Sequence, residues 1–74
     1  MDTKKLLQDS LEDYYKGQVA KYKANLNVLL SMHVGLAEHP DIIETLDEQF
    51  SKLAEADEKL EMLRKHFYRE QSSP

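Results

Sequence analysis

In the second half of the chain, Ile42, Leu46, Gln49, Leu53, Ala56, Leu60, Leu63 and Phe67 follow one another in steps of four and three. All but Gln49 are apolar, which makes the row a heptad seam of the kind that packs one helix against another. The first half repeats the alternation through Tyr15, Val19, Tyr22, Leu26, Leu29, His33 and Leu36. Upstream of Tyr15 the apolar spacing becomes four and four, through Leu11 to Leu7. A four-residue insertion of that kind locally unwinds a left-handed supercoil.

The punctuation between the two seams predicts a turn. Gly35 suits the left-handed residue just past a helix end, with Leu36 folding back as its apolar partner. Pro40 suits the first helical position, where its missing N–H costs nothing. His39 is then the expected cap, held extended by the proline that follows it. The spacing therefore predicts helices over about 4–34 and 40–69, each about 45 Å long at ~1.5 Å per residue. Asp41 and Glu44 fall in the positive first turn of the second helix, and Arg64, Lys65 and Arg69 fall near its negative end.

A loop this short makes the two helices antiparallel neighbours, an all-α hairpin. Matching the seams sets Leu29 opposite Leu46, Tyr22 opposite Leu53, Val19 opposite Ala56, Tyr15 opposite Leu60 and His33 opposite Ile42. Beyond the change of spacing, Leu11 is expected against Leu63 and Leu7 against Phe67. Leu26 would face Gln49, the one polar intrusion. Glu48–Lys52, Glu55–Lys59 and Glu61–Lys65 are four apart in the favourable order. Gly17, off the seam, either eases a bend or admits a closely packed partner. The domain spans 1–70, and residues 71–74 carry no pattern and read as a disordered tail.

The apolar surface is wider than one hairpin covers. Tyr14 and Leu30 flank the first seam, and Ile43, Phe50 and Met62 flank the second. Exposed apolar area of this extent marks an association surface. A homodimer forming a four-helix bundle is the expected assembly, with Tyr14, Leu30, Ile43, Phe50 and Met62 at the oligomer interface.

Composition sharpens this picture. The chain has 74 residues and no cysteine, so it has neither a disulfide nor a thiolate metal site, and association is the remaining support for a small core. The net charge is −4, and its distribution is uneven. Residues 1–34 carry five lysines against four acids, and 35–74 carry ten acids against five bases. Glu38, Asp41, Glu44, Asp47 and Glu48 form an acidic tip around the turn, suited to docking on a basic surface. Charge of this density steers association more than it supplies affinity.

Chemical sites are scarce. His33, His39 and His66 match neither His-x-x-x-His nor Glu-x-x-His, so no metal or other cofactor is expected. A seam histidine such as His33 can confer pH sensitivity when buried. No Gly-rich phosphate loop and no nucleophile with a base is present, and a two-helix hairpin offers no closed pocket, so the chain is expected to be non-enzymatic. Lys16, Lys21 and Lys23 interleave with tyrosines in "YYKGQVAKYKANL", but three lysines in an acidic chain fall short of a nucleic-acid footprint. No apolar run reaches the ~18–20 residues of a bilayer span, and "MDTKKLLQDS" turns polar too soon for a signal peptide. A cytoplasmic protein without membrane contact is expected.

The segment "HPDIIETLDEQFSKLAEADEKLEMLRKHF" resembles small helical-hairpin proteins of tailed, myovirus-type marine phages, in which a "GxxEHPDI" turn precedes a long charged helix. The matching residues are Gly35, Glu38, His39, Pro40, Asp41 and Ile42, and the resemblance covers about half the chain. It implies a viral origin, in the host cytoplasm, and no activity. The expected role is therefore a self-associating interaction or structural module, such as a viral assembly component or adaptor for a host or viral protein. The alternative is an acidic inhibitor that occupies a partner's basic surface through the 38–48 tip.

Overall fold

The structure, a computed structural model, describes residues 2–31 and 41–68. Two α-helices, α1 (Thr3–Leu30) and α2 (Ile42–Leu63), account for most of them, and Arg64–Tyr68 continues α2 as a π-helical turn. No strand occurs among the described residues. Three cross-helix hydrogen bonds fix the direction: Asn25 meets Gln49, Glu12 meets Arg64 and Asp9 meets Tyr68. Numbers fall on α1 as they rise on α2, so the helices are antiparallel and the molecule is a helical hairpin.

Local chemistry sets the helix ends. Asp2 is the N-cap of α1, extended at φ −84° and ψ 103°. Its carboxylate accepts from the backbone N–H of Lys4 at 3.0 Å and of Lys5 at 3.3 Å, satisfying two of the four donors that a helix start leaves open. At the other end Ser31 donates its hydroxyl to the Asn27 carbonyl at 2.6 Å, and its own N–H reaches the same carbonyl at 3.1 Å. α1 is described to Leu30 with Ser31 as its cap, and the expected extension to 34 lies outside the described residues.

α2 starts later than expected. Asp41, not His39, holds its N-cap position, at φ −100° and ψ 29° with no side-chain bond to the helix. The Thr45 N–H closes the first turn on the Asp41 carbonyl at 2.9 Å. The expected turn residues Gly35, Leu36, His39 and Pro40, and the His33–Ile42 pair, lie outside the described residues, as does the tail from 69 onward.

The seam predicted for the middle of the rod is where the core sits. Leu26, Ala56, Leu60 and Leu63 are its buried apolar residues, and Val19, Tyr22, Leu29, Ile42, Leu46 and Leu53 are half-buried around them. Gln49 does intrude there, and it resolves its polarity by accepting from the Asn25 side-chain amide at 3.2 Å.

Toward the termini the expected layers are poorly covered. Leu7 and Leu11 are 64% and 40% exposed, and Phe67 is 50% exposed. Leu11, Leu63 and Phe67 border one groove, so the layers expected there are left open to solvent rather than closed. α1 instead keeps the regular four-three phase back from Tyr15 through Glu12 to Gln8, and Gln8 is buried. On the α2 side of the rod, the π turn widens the repeat from i→i+4 to i→i+5. One extra residue per turn moves Phe67 outward and brings Tyr68 round in its place. The polar groups thus meet partners: Glu12 meets Arg64, and Asp9 meets Tyr68. The physical reason is that an α-helix turns at a fixed rate and cannot follow a slip in the apolar spacing without a break.

The same turn explains a missing ion pair. Among the described residues Glu48–Lys52 and Glu55–Lys59 form, at 3.7 Å and 3.0 Å, whereas Glu61–Lys65 does not, because Lys65 lies past the point where α-helical phase ends. The rod is long and thin, 56 × 21 × 14 Å, with a radius of gyration of 16.9 Å. A compact chain of this length would have a radius of about 11 Å.

Candidate interaction surface

The heptad seam divides the surface of the hairpin into two flanks. On one flank the α2 residues Lys52, Glu55, Lys59, Met62 and His66 line up in three-four steps. With Leu11 and Tyr15 of α1 and with Phe67, several of them border a groove of about 610 Å³. A second hollow of about 280 Å³ continues it past Tyr14, Gln18 and Tyr22. The opposite flank carries a separate groove of about 390 Å³ between Val19 and Lys23 of α1 and Phe50, Ala54 and Asp57 of α2, with Leu53 at its floor. The two sets share no residue.

All five residues expected at an oligomer interface are exposed: Tyr14 at 59%, Leu30 at 60%, Ile43 at 74%, Phe50 at 50% and Met62 at 47%. The grooves sort them. Tyr14 and Met62 border the first flank. Phe50 borders the second. Ile43 and Leu30 lie one heptad from Phe50 and Lys23 respectively, so they extend that second flank toward the turn. The five expected at one interface are separated by the folded hairpin onto two flanks.

Of the acidic tip, Asp41, Glu44, Asp47 and Glu48 are exposed, and Glu38 lies outside the described residues. Glu48 is partly neutralised by Lys52 at 3.7 Å. Of the histidines, His66 is exposed beside the larger groove, and His33 and His39 lie outside the described residues. Among the described residues no group of three or more His, Asp or Glu is placed to hold a metal ion. The lysine–tyrosine stretch packs on itself: the Tyr14 and Tyr15 rings lie 5.8 Å apart at 58°, and the Lys21 ammonium sits 5.3 Å from the Tyr22 ring centre. No helix among the described residues is long and apolar enough to cross a membrane.

The polar clasp at the terminal end was not anticipated. The Arg64 guanidinium donates from Nε to Glu12 at 2.9 Å, and the Tyr68 hydroxyl donates to Asp9 at 2.7 Å. Asp9 also takes the Lys5 ammonium at 3.2 Å. Burial, and then the bond to Asp9, push the Tyr68 phenol up to about 12. The bond from Tyr68, and then that from Lys5, hold the Asp9 carboxyl below the usual carboxylate range. The available signal was a complementary pattern: acids on the inward face of α1 where the apolar row lapses, with an arginine and a tyrosine at the matching distance from the turn.

Comparison with protein-family models, with curated proteins and with solved structures finds no match for the chain.

Proposed function

We propose that the chain is a non-enzymatic helical module that associates with itself, as a dimer forming a four-helix bundle, and acts as an assembly component or adaptor. One observation carries this reading. Among the described residues no large side chain is fully buried, while ten large apolar residues are exposed, Ile43 most of all at 74%. Patches of that kind on a small protein mark association surfaces. The total accessible area agrees: 5977 Å², against roughly 4,700 Å² for a folded monomer of this mass. Packing two hairpins together covers apolar area that one hairpin leaves in water, at ~25 cal/mol per Å².

A second reading draws on the exposed acids Asp41, Glu44 and Asp47, which form no ion pair among the described residues. In that reading the tip docks on a basic surface. Light scattering separates the two. The first expects a mass above that of one chain, lost in the double variant Leu30→Glu with Phe50→Glu. The second expects salt-sensitive binding to polylysine, lost on charge reversal at Glu44, Asp47 and Glu48 with the mass unchanged.

A further inference from the structure

We infer that a second copy of the chain docks on the Leu30–Ile43–Phe50 flank, with α1 of one copy laid along α2 of the other, and that the Tyr14–Met62 flank stays open in that dimer. The inference rests on the self-association reading and says which surface performs it.

The argument begins with the division of the apolar residues. A two-fold contact between two rods covers one flank of each and cannot reach the other. The question is therefore which flank suits a copy of itself. Area does not decide it. The long face of the rod measures 56 by 21 Å, about 1,200 Å² (56 × 21), and either flank can supply the ~800 Å² per partner of a stable interface.

Charge decides it. Of the charged residues bordering the Tyr14–Met62 grooves, Lys52 is paired with Glu48 and Lys59 with Glu55, and Glu58 makes no ion pair within 4.0 Å among the described residues. That flank's grooves offer a copy of itself an unpaired acid and, among the described residues, no unpaired lysine or arginine to meet it. On the other flank the charges are sorted by helix. Lys16 and Lys23 are one heptad apart on α1, in line with Leu30. Asp57 is one heptad from Phe50 on α2, and Glu61 lies one turn further on. Lys23 and Asp57 border the same groove. Among the described residues none of these four charges makes an ion pair within 4.0 Å. The α1 edge of the flank is therefore basic, with Lys16 and Lys23 in the row of Leu30, and the α2 edge is acidic, with Asp57 in the row of Phe50; Val19 and Leu53 lie between the two.

A surface of that kind is complementary to itself. With the two-fold axis along the rod, the α1 edge of each copy lies over the α2 edge of its partner. The pairs Asn25–Gln49 and Glu12–Arg64 set the level at which residues of α1 stand beside α2. Between them, Lys16 stands level with the stretch from Asp57 to Glu61. In the dimer each Lys16 comes over the Asp57–Glu61 edge of the other copy, and the reciprocal contact forms by symmetry. Complementary charge of this kind fixes register and orientation around an apolar centre.

The test is the solution mass by light scattering over a dilution series, with circular dichroism as the check on folding. Phe50→Glu is expected to give a helical monomer, and Met62→Glu to keep the native mass. Lys16→Glu with Lys23→Glu is expected to weaken the dimer several-fold. Adding Asp57→Lys and Glu61→Lys to those two changes is expected to restore it, because the edges are then exchanged rather than matched. Where Phe50→Glu loses helix, the charge-exchange set decides, since it removes no apolar contact. An associating native chain that Met62→Glu dissociates and Phe50→Glu does not, or an exchange set as weak as the single-edge reversal, overturns the assignment of the face. A native chain that is monomeric throughout overturns the self-association reading itself, and the assignment with it.

Discussion

Arg64 and Glu12 are joined at 2.9 Å across the two helices, although the apolar spacing puts leucines at that end of the seam. The pair bridges the first residue of the π turn to the inward face of α1. Arg64 is half exposed and Glu12 about a quarter exposed, so water screens the attraction. Replacing either with alanine is expected to lower the unfolding free energy by about 0.5–1 kcal/mol. A double-mutant cycle in urea is expected to show positive coupling between the two. Purely additive losses would mean that the contact holds nothing together.

Tyr68 adds a pH dependence with a definite sign. Its phenol is pushed up to about 12 from an ordinary 10.0, so the fold favours the protonated form. That contribution is whole below pH 10 and is lost as pH rises through about 12. Asp9 works in the opposite sense. Its carboxyl lies below the ordinary 3.8, so its contribution is present above that value and fades as pH falls through the lower, folded one. Tyr68→Phe is expected to flatten the alkaline limb of a stability–pH curve between pH 10 and 12, and to bring Asp9 back toward its ordinary titration by NMR. An alkaline limb identical in the two proteins would remove Tyr68 from the account.

Asp2 caps α1 through two backbone donors, whereas Asp41 caps α2 through none. Asp2→Ala is therefore expected to cost about 1 kcal/mol, seen in thermal unfolding followed by circular dichroism. Asp41→Ala is expected to cost clearly less. Equal losses would show that the caps are not distinguished by their hydrogen bonds.

Gly17 lies inside α1, and a methyl group added there would meet nothing within 4 Å. Close packing within the chain does not require it. Gly17→Ala is expected to stabilise the protein by about 0.5–1 kcal/mol through helix propensity alone, with the solution mass unchanged. A loss of stability or of association would show that a partner's backbone occupies that space.

The outline of the fold was legible because it follows from one periodic signal. The rows through Leu26 and through Ala56, Leu60 and Leu63 alternate by four and three, and those residues are the buried ones. Gln49 was visible as an intrusion, though its partner Asn25 was not, since a lateral amide contact leaves no periodic trace. At the terminal end apolar identity does not coincide with inward position. Leu7 and Leu11 attracted the seam, yet the helix kept its phase and turned Gln8 and Glu12 inward. The π turn has no composition signature, and without it Phe67 rather than Tyr68 faces α1. For the interaction surface, the five apolar residues were legible singly. Their separation onto two flanks was not, because it depends on which side of the seam each one lies once both helices are in place.

The central claim is that one hairpin leaves too much apolar surface in water to remain alone. The mass of the native chain in solution, by light scattering at neutral pH, tests it most directly. The account predicts about 17 kDa, twice the 8.6 kDa of one chain, and a value of 8.6 kDa that holds at every concentration would contradict it.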